Sequence, residues 1–347
     1  MPDNLATELA AAQLALAAFG MPADAELTFI KYRENHVYRV RAKGLDRSLR
    51  MHRVGYRTDD ELRSEIASIA QFHAGGISVP APAVALDGGH VATFVDASGT
   101  RRQATMQAWI DDGREFGDSA AVFSGAERPS DQELHDLGAL IARMHDVAAA
   151  GPPTAYARPA WDAAGLAGPT ALWGTASLLP SLSVEDRALL DDADRRIAAD
   201  LAALATTADR FGVIHADFTF ENVLVTERGL VALDFDDSGP GWFLFDLTTP
   251  VFWCSPHPDA DAMTAALNEG YRSVRPLPDE AGWHTLLLAR ALSYLGWAAD
   301  RPGDTASDFH EEVMAPWVVS AARRYLDSGD TGWPPLNART IENEVTH

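Results

Sequence analysis

The first third of the chain contains short runs in which β-branched and aromatic residues alternate with charged ones. Polar turns separate these runs, and a period of two with such turns is typical of consecutive strands. The runs lie at 27–32, 36–42, 47–53, 83–86, 90–95 and 103–110. The last two are joined through Asp-Ala-Ser-Gly at 96–99, which favours a hairpin. We therefore predict an antiparallel sheet.

One helix is predicted to interrupt this sheet. Thr58 and Glu61 have the spacing of a capping box, and an apolar stripe then continues at helical spacing to about residue 73. The stripe contains Leu62, Ile66 and Ile69. The Ala/Leu-rich segment 1–20 also predicts a helix. It has no basic residue ahead of its apolar part and so does not resemble a signal peptide.

Beyond residue 111 the apolar period changes from two to that of helices. Ser130 with Glu133 forms a second capping box, and Ser183 is a candidate N-cap. Helices are predicted from about 131 to 147 and 184 to 205, and near 258–273, 280–299 and 307–326. The Pro-, Gly- and Ala-rich segment 148–180 is predicted to be irregular. The pattern as a whole predicts an α+β chain with an N-terminal lobe over 1–110 and a helical lobe over 111–347.

Composition and charge exclude some partners. The net charge is −22, which argues against nucleic acid, and no apolar run is long enough to cross a bilayer. Between residues 31 and 63, however, ten basic residues stand against five acidic ones, which is consistent either with an anion bound near the N-terminal end or with a solvated arginine-rich surface. Cys254 is the only cysteine, so a reducing, cytoplasmic location is expected. The oligomeric state is not determined by these observations.

Two short apolar strands enclose the densest cluster of polar residues. The stretch HADFTFENVL at 215–224 lies between FGVI and VLV, and LVALDFDD follows at 230–237. His215, Asp217 and Asn222 have the spacing H-x-D-x-x-x-x-N of a kinase catalytic loop. Asp234 then ends the next strand, and an amide oxygen with a carboxylate suits Mg²⁺. A hydrogen-bonded turn alone could explain His-x-Asp, but the whole combination favours catalysis, with His215 as a structural residue.

The segments VIHADFTFENVLV and LVALDFDDSGPGWFLFDL resemble the aminoglycoside phosphotransferase / choline kinase superfamily. The likeness is closest to its bacterial branch of homoserine kinase type II and stress-response kinases. The resemblance implies a two-lobed protein-kinase-like fold with ATP and Mg²⁺ as cofactors. It also implies Asp217 as catalytic base, Asn222 and Asp234 as Mg²⁺ ligands, and Asp246 as a support of the catalytic loop.

The phosphate-anchoring lysine of kinases is missing from the third strand, which reads SLRMHR. We assign its role to Arg50, with Glu65 as its inward-facing partner on the following helix. A phosphate-covering turn is expected over 32–36. Adenine is expected against the backbone of 106–109, which includes Gln107 and Trp109.

Two features favour a small-molecule kinase over a protein kinase. Ala216 replaces the arginine of the protein-kinase loop, and only eleven residues separate Asp234 from Asp246, too few for a long activation segment. The predicted acceptor is a hydroxyl of a small, amine-bearing molecule of aminoglycoside, choline or homoserine type. Acidic and aromatic residues are candidates to surround it, and a solvated acidic surface is the alternative explanation for most of them: Asp236, Asp237, Trp242, Trp253, Asp259 and Asp261. A stress-type Ser/Thr protein kinase and a catalytically silent ATP-binding regulator remain as alternatives.

Overall fold

The computed structural model describes residues 2–32, 35–152, 156–303 and 305–338. Eleven α-helices and ten strands occur in these ranges. The strands are β1 (Glu26–Tyr32), β2 (His36–Ala42), β3 (Leu45–Met51), β4 (Val91–Val95), β5 (Arg101–Ala108), β6 (Arg114–Glu115), β7 (Phe211–Ile214), β8 (Val223–Thr226), β9 (Gly229–Ala232) and β10 (Gly239–Trp242). The helices are α1 (Pro2–Ala18), α2 (Asp59–Ala74), α3 (Ser119–Phe123), α4 (Asp131–Ala148), α5 (Ala163–Leu166), α6 (Val184–Ala202), α7 (Phe243–Cys254), α8 (Ala260–Arg272), α9 (Trp283–Ala299), α10 (Thr305–Phe309) and α11 (Ala315–Ser328).

The chain divides into two compact units. Unit 1 contains Met1–Gly113 together with the later segments Pro153–Arg158 and Val231–Leu233. Unit 2 contains Arg114–Pro152, Pro159–Leu230 and Asp234–His347. No helix in the described part of the chain is both long enough and apolar enough to span a membrane.

Unit 1 is built on an antiparallel sheet of five strands in the order β1-β2-β3-β5-β4. One face is covered by α1, which packs its small residues Ala11, Ala12 and Ala15 against buried strand residues such as Tyr38 and Leu49. The alternation along β3 sends Leu49 and Met51 into this core. Arg50 therefore points to the opposite face of the sheet.

The predicted strand at 83–86 is wrong. This segment is irregular, and only Pro82 forms an isolated bridge, to Gln107 of β5. Proline lacks the N–H that a ladder requires, and prolines at 80 and 82 keep the segment from extending as a strand. It still runs beside β5, because the N–H of Ala83 donates to the carbonyl of Met106 at 2.8 Å.

Both predicted capping boxes are present. The Thr58 hydroxyl accepts from the Glu61 N–H at the start of α2, and the Ser130 hydroxyl accepts from the Glu133 N–H at the start of α4. Ser183 caps α6 in the same way through the N–H of Asp186. These signals are local in the chain, and a side-chain oxygen satisfies one N–H of the first helical turn in each case.

Unit 2 is centred on closely packed helices. A Cβ atom placed on Gly138 of α4 would lie 1.8 Å from the carbonyl oxygen of Leu267 in α8. The same substitution at Gly270 of α8 would meet the carbonyl oxygen of His135 at 1.8 Å. Glycine at both positions allows the two helix backbones to touch, and this contact fixes α4 against α8.

Two helical segments of unit 2 differ from the sequence prediction. Helix α7 was not predicted, because all twelve of its residues are buried and its sequence lacks an amphipathic period. The helix predicted over 307–326 is present, but a π-helical turn at His310–Met314, which was not predicted, lies between α10 and α11. Pro316 follows directly in the first turn of α11, where it has no N–H to donate to the preceding turn.

Candidate active site

The loop that carries the predicted catalytic residues is held between short strands of unit 2. β7 pairs with β10, and β8 pairs with β6, so the residues between β7 and β8 have fixed ends. His215 is fully buried at the start of the loop and stacks on Phe218 with ring centroids 4.2 Å apart. Its Nδ1 accepts the N–H of Asp217 at 3.3 Å. The predicted structural role of His215 agrees with this position.

Asp217 and Asn222 lie side by side. The Asn222 amide nitrogen donates to the Asp217 backbone carbonyl at 3.0 Å and to its carboxylate Oδ2 at 3.1 Å. A 3₁₀ turn over Phe220–Asn222 returns the chain so that this contact forms. Because both amide protons point at Asp217, the Asn222 oxygen is directed away from it. The other carboxylate oxygen of Asp217, Oδ1, is buried and has no hydrogen-bond partner.

Asp246, on α7, holds the start of the catalytic loop by hydrogen bonds to its backbone. Its fully buried carboxylate accepts the N–H of His215 at 3.0 Å and the N–H of Ala216 at 2.7 Å. Nε2 of His145, on α4, lies 3.0 Å from the same carboxylate, and its Nδ1 lies 2.9 Å from the hydroxyl of Tyr271. Burial lowers the pKa of His145, with Asp246 opposing this effect, and Nε2 is the donor of the contact because a carboxylate oxygen accepts it. These hydrogen bonds run from Tyr271 on α8 through His145 on α4 and Asp246 on α7 to the catalytic loop.

Two residues of the site have left-handed backbone conformations. Ala216 has φ 68° and Asp234 has φ 57°, and they are the only non-glycine residues with positive φ in the described ranges. For an alanine this conformation costs about 1–2 kcal/mol. Such strain persists only where surrounding contacts impose it, and it concentrates at functional sites.

The electrostatic environment of Asp217 is unusual. Burial raises the pKa of its carboxyl to about 7, and the guanidinium of Arg290 opposes this effect. The carboxylates of Asp237, Asp234 and Glu221 raise the pKa further. Asp234 is therefore close enough to Asp217 to act on it. A carboxyl with a pKa near neutrality can accept a proton during a reaction at physiological pH.

Arg290 was not identified from the sequence. It lies on α9, is fully buried, and donates a hydrogen bond to the backbone carbonyl of Ala216. In the sequence it stands within WHTLLLARALSYLGWAA, where a lone arginine in an apolar helix was the only available signal. A charged residue in such a run requires a specific partner.

The predicted ion pair of unit 1 is present. Nη1 of Arg50 lies 3.1 Å from Oε1 of Glu65, whose side chain is 1% exposed. A second arginine, Arg158, approaches the other oxygen of Glu65 at 3.8 Å and was not predicted. It belongs to the segment that returns to unit 1 after α4, where the Ala157 N–H donates to the Ser64 hydroxyl at 2.8 Å. The link of Arg50 to phosphate stays a prediction.

The segment expected to read adenine already uses part of its backbone. The N–H of Ala108 donates to the Ala81 carbonyl at 2.9 Å, and the N–H of Trp109 donates to the Asp46 carbonyl at 3.3 Å. The Trp109 ring is covered by the guanidinium of Arg39, 4.5 Å from its centroid. Gln107 lies at the end of β5 and pairs with Ser48. A role of Gln107 and Trp109 in nucleotide binding stays a prediction. The turn expected to cover phosphate includes residues 33 and 34, which lie outside the described ranges.

The residues expected around the acceptor do not all gather near Asp217. Asp237 lies close enough to raise the pKa of Asp217, and the indole N–H of Trp173 donates to the Asp237 carboxylate at 3.1 Å. Asp236, one position earlier, is buried. Trp253 is buried and donates to the hydroxyl of Tyr294. The others serve elsewhere: Trp242 donates to Ala205, Asp259 pairs with Arg128, and Asp261 is exposed on α8.

Comparison with known proteins gives the family. A model of the phosphotransferase enzyme family matches residues 26–277, which include every site residue predicted from the sequence. The chain belongs to this family of phosphotransferases. The phosphotransferase is 27% identical to the homoserine kinase of Cupriavidus pinatubonensis over 258 residues. This alignment covers 68% of this chain and 68% of the relative.

Solved structures extend the likeness. The structure of a microcompartment-associated aminopropanol kinase matches the phosphotransferase with a TM-score of 0.78 and 27% identity, over 93% of this chain and 98% of that chain. Amicoumacin kinase hAmiN, determined with AMP-PNP and Ca²⁺, has a TM-score of 0.68 at 22% identity, over 84% and 87% of the two chains, and shows the shared fold. The predicted α+β protein-kinase-like fold and the prediction of an enzyme that phosphorylates a hydroxyl group are both confirmed.

The residues of the phosphotransferase fit a divalent cation of the Mg²⁺ type. Asn222 and Asp234 offer hard oxygen donors, and the orientation of the Asn222 amide keeps its oxygen available. Within the described ranges no three His, Cys, Asp or Glu side chains are grouped so as to hold a metal by themselves. Mg²⁺ is commonly held by one or two protein oxygens together with substrate phosphates.

Proposed function

We propose that this phosphotransferase uses ATP and Mg²⁺ to phosphorylate a hydroxyl group of a small, amine-bearing molecule. The observation that carries the proposal is the arrangement in unit 2, where the Asp217 carboxylate lies against Asn222 and within the electrostatic reach of Asp234. Asp217 would orient the acceptor hydroxyl and accept its proton. Asn222 and Asp234 would hold Mg²⁺, which neutralises the charge that develops on the phosphates.

The local geometry supports these roles. Asp217 has one carboxylate oxygen occupied by Asn222 and one buried oxygen without a partner, which an acceptor hydroxyl would satisfy. The left-handed turn at Ala216 aims the Asp217 side chain, and Asp246 fixes that turn. In unit 1, we propose that Arg50, held by Glu65, contacts the nucleotide phosphates.

The amine-bearing acceptor is supported by chemistry at Asp237 and by the relatives. Asp237 is a carboxylate near Asp217 that is oriented by the Trp173 indole, and a carboxylate beside an aromatic ring suits an ammonium group. Aminopropanol and homoserine, named in the two relatives at 27% identity, both combine an amine with a hydroxyl group.

A screen of ADP release tests the proposal. Wild-type protein and Asp217→Asn are incubated with Mg·ATP and, in turn, aminopropanol, homoserine, choline, ethanolamine and an aminoglycoside. We expect acceptor-dependent ADP release by the wild type with at least one amine-bearing alcohol, and its loss in Asp217→Asn with ATP affinity retained. Equal turnover in both proteins would reject the role of Asp217. Phosphorylation of a generic protein acceptor alone would instead support a protein kinase.

The metal assignment has its own measurement. EDTA should abolish turnover and added Mg²⁺ should restore it. Asn222→Ala should raise the Mg²⁺ concentration needed for half-maximal activity, whereas Asp261→Asn, an exposed carboxylate of the same unit, should not. An unchanged Mg²⁺ requirement in Asn222→Ala would remove this residue from the metal site.

A further inference from the structure

One fully buried charge of unit 2, the guanidinium of Arg290, has no role in the mechanism described above. Arg290 has 0% exposure, yet neither of its hydrogen-bond partners is a carboxylate. Its Nη2 donates to the carbonyl of Ala216, its Nη1 lies 3.4 Å from the Ser293 hydroxyl, and its Nε has no partner. A buried guanidinium without an ion pair has a high desolvation cost, so the fold must compensate for it.

Aromatic rings supply that compensation. The guanidinium carbon of Arg290 lies 4.1 Å from the ring centroid of Phe245, 5.0 Å from that of Trp173, 5.3 Å from that of Tyr294 and 5.6 Å from that of Trp161. Aromatic faces attract a cation electrostatically. We call these four rings the aromatic cage. Arg290 is enclosed by it and has little freedom to turn away from Ala216.

The carbonyl that Arg290 contacts belongs to Ala216, one of the two residues of the site with a left-handed backbone conformation. Ala216 is fully buried with φ 68°, so its carbonyl oxygen cannot reach water. A buried carbonyl without a donor costs about 1–3 kcal/mol. The Arg290 guanidinium provides that donor, and it does so with a charge-assisted hydrogen bond.

Ala216 is thus held at both of its backbone groups. Asp246 accepts its N–H from one side, and Arg290 donates to its C=O from the other. An anion at the N–H and a cation at the C=O together fix the peptide planes on either side of this residue. Asp217 follows at once, so the direction of its carboxylate depends on those planes.

We propose that Arg290 is a positioning residue of the phosphotransferase, which holds the left-handed turn at Ala216 and thereby aims the Asp217 carboxylate. The inference rests on the role proposed for Asp217. It predicts a specific defect: loss of Arg290 lowers kcat and leaves ATP binding intact, because Arg290 acts on the direction of the Asp217 carboxylate through the Ala216 carbonyl. The aromatic cage presents the guanidinium to the turn, and it also ties the turn to Asp237, since Trp173 and Trp161 donate to that residue.

Three variants test the proposal. Arg290→Met removes the charge and donor but keeps an elongated side chain that the aromatic cage accepts, so the protein should fold. Arg290→Lys keeps the charge and one donor. Arg275→Met is the matched control, because Arg275 also lies over an aromatic ring, 4.9 Å from the centroid of Phe243, but does not contact the catalytic loop.

The first measurement is ADP release from Mg·ATP, with aminopropanol as acceptor and in parallel with water alone. Arg290→Met should lower kcat about 100-fold with the KM for ATP changed less than about twofold, since misplacement of a catalytic group by about 1 Å has an effect of that size. Arg290→Lys should recover at least about tenfold of the loss. Arg275→Met should match the wild type. Equal kcat in Arg290→Met and wild type, or no recovery with lysine, would overturn the proposal.

The second measurement does not depend on activity. Hydrogen exchange of the peptide spanning 213–222, without nucleotide, should be faster in Arg290→Met than in the wild type, and close to the wild-type rate in Arg290→Lys and Arg275→Met. Unchanged exchange in Arg290→Met would refute the positioning role of Arg290 even if the protein showed no turnover. If Arg290→Met does not fold, Arg290→Leu, which also removes the charge and the donor, takes its place with the same criteria.

The two hypotheses fail in different ways. If Asp217→Asn turns over ATP like the wild type, the proposed function is wrong. If Asp217→Asn is inactive but Arg290→Met has wild-type kcat and wild-type exchange, only the positioning role is wrong.

Discussion

Replacement of Asp217 by asparagine should make the protein more stable while it removes activity. The carboxyl is desolvated in the folded state, and burial raises its pKa from an ordinary value of about 3.9 to about 7. Asparagine has the same size and can keep the contact to Asn222, but it carries no charge. The substitution therefore removes an ionised group from a site that disfavours it.

The magnitude follows from the pKa difference. About three pKa units at 1.36 kcal/mol each give an upper value of about 4 kcal/mol, and partial exposure of Asp217 reduces this to about 2–4 kcal/mol. Below about pH 4 the carboxyl is protonated in both the folded and the unfolded chain, so the two proteins should have equal stability. Between about pH 4 and 7 only the unfolded chain releases the proton, and the wild type loses stability as pH rises. Above about pH 7 the difference is constant.

The assay is scanning calorimetry without nucleotide or divalent metal at pH 4, 6 and 8. Because 1 kcal/mol shifts Tm by about 2–4 °C in a unit of this size, Asp217→Asn should melt about 5–10 °C above the wild type at pH 8. The exposed Asp327 of α11 provides the control, and Asp327→Asn should melt with the wild type. A gain in Tm that is absent at pH 8, or that is as large at pH 4 as at pH 8, would show that Asp217 is not desolvated in the folded protein.

In the wild type, kcat/KM for ATP should decline as pH falls through about 7, since this ratio reports ionisation of the free enzyme.

Three further substitutions have defined outcomes. Asp246→Asn should lower kcat and lower the free energy of unfolding by about 2–4 kcal/mol in urea titrations. The reason is that one amide oxygen cannot replace a carboxylate that accepts from two backbone N–H groups. Wild-type values for both quantities would contradict the support of the loop by Asp246. Glu65→Gln should raise the KM for ATP on the order of tenfold, equivalent to about 1.4 kcal/mol, because Arg50 loses the carboxylate that orients it; an unaltered KM would argue against phosphate binding by Arg50. Glu8→Gln should destabilise unit 1 by about 1–3 kcal/mol in the same titration. Arg102 is 5% exposed, and it would lose Glu8 as an ion-pair partner and keep Asp96. No change would mean that the Glu8–Arg102 ion pair does not anchor α1.

The site illustrates which features are local in the chain. Asp217 and Asn222 are five positions apart in a short turn between two strands, so the spacing of polar residues was enough to assign both to one loop, although their mutual hydrogen bond was not predicted. The inward direction of Glu65 followed in the same way from the helical stripe that begins at Leu62. The role of each of these residues in catalysis stays a prediction until it is measured.

Features that depend on distant segments could not be predicted. Arg158 lies near Glu65 because the neighbouring Ala157 N–H donates to the hydroxyl of Ser64 on α2. These two hydrogen-bonded residues are 93 positions apart in the sequence. Arg290 lies 74 positions from Ala216, the residue whose carbonyl it contacts. Neither residue stands in a motif, and an arginine has many possible partners in the sequence. Only the packing of helices selects one of them.

The sequence by itself determined the five strands of the unit 1 sheet, helix α2, both capping boxes and the polar residues of the catalytic loop, because each depends on neighbours a few positions away. The tertiary structure decided which buried groups hold that loop, where helix α7 forms and which of the acidic and aromatic candidates lie near Asp217. Those outcomes depend on burial, and burial is a property of the packed chain: it makes an all-apolar segment a helix, raises the pKa of Asp217 and requires a donor for the Ala216 carbonyl.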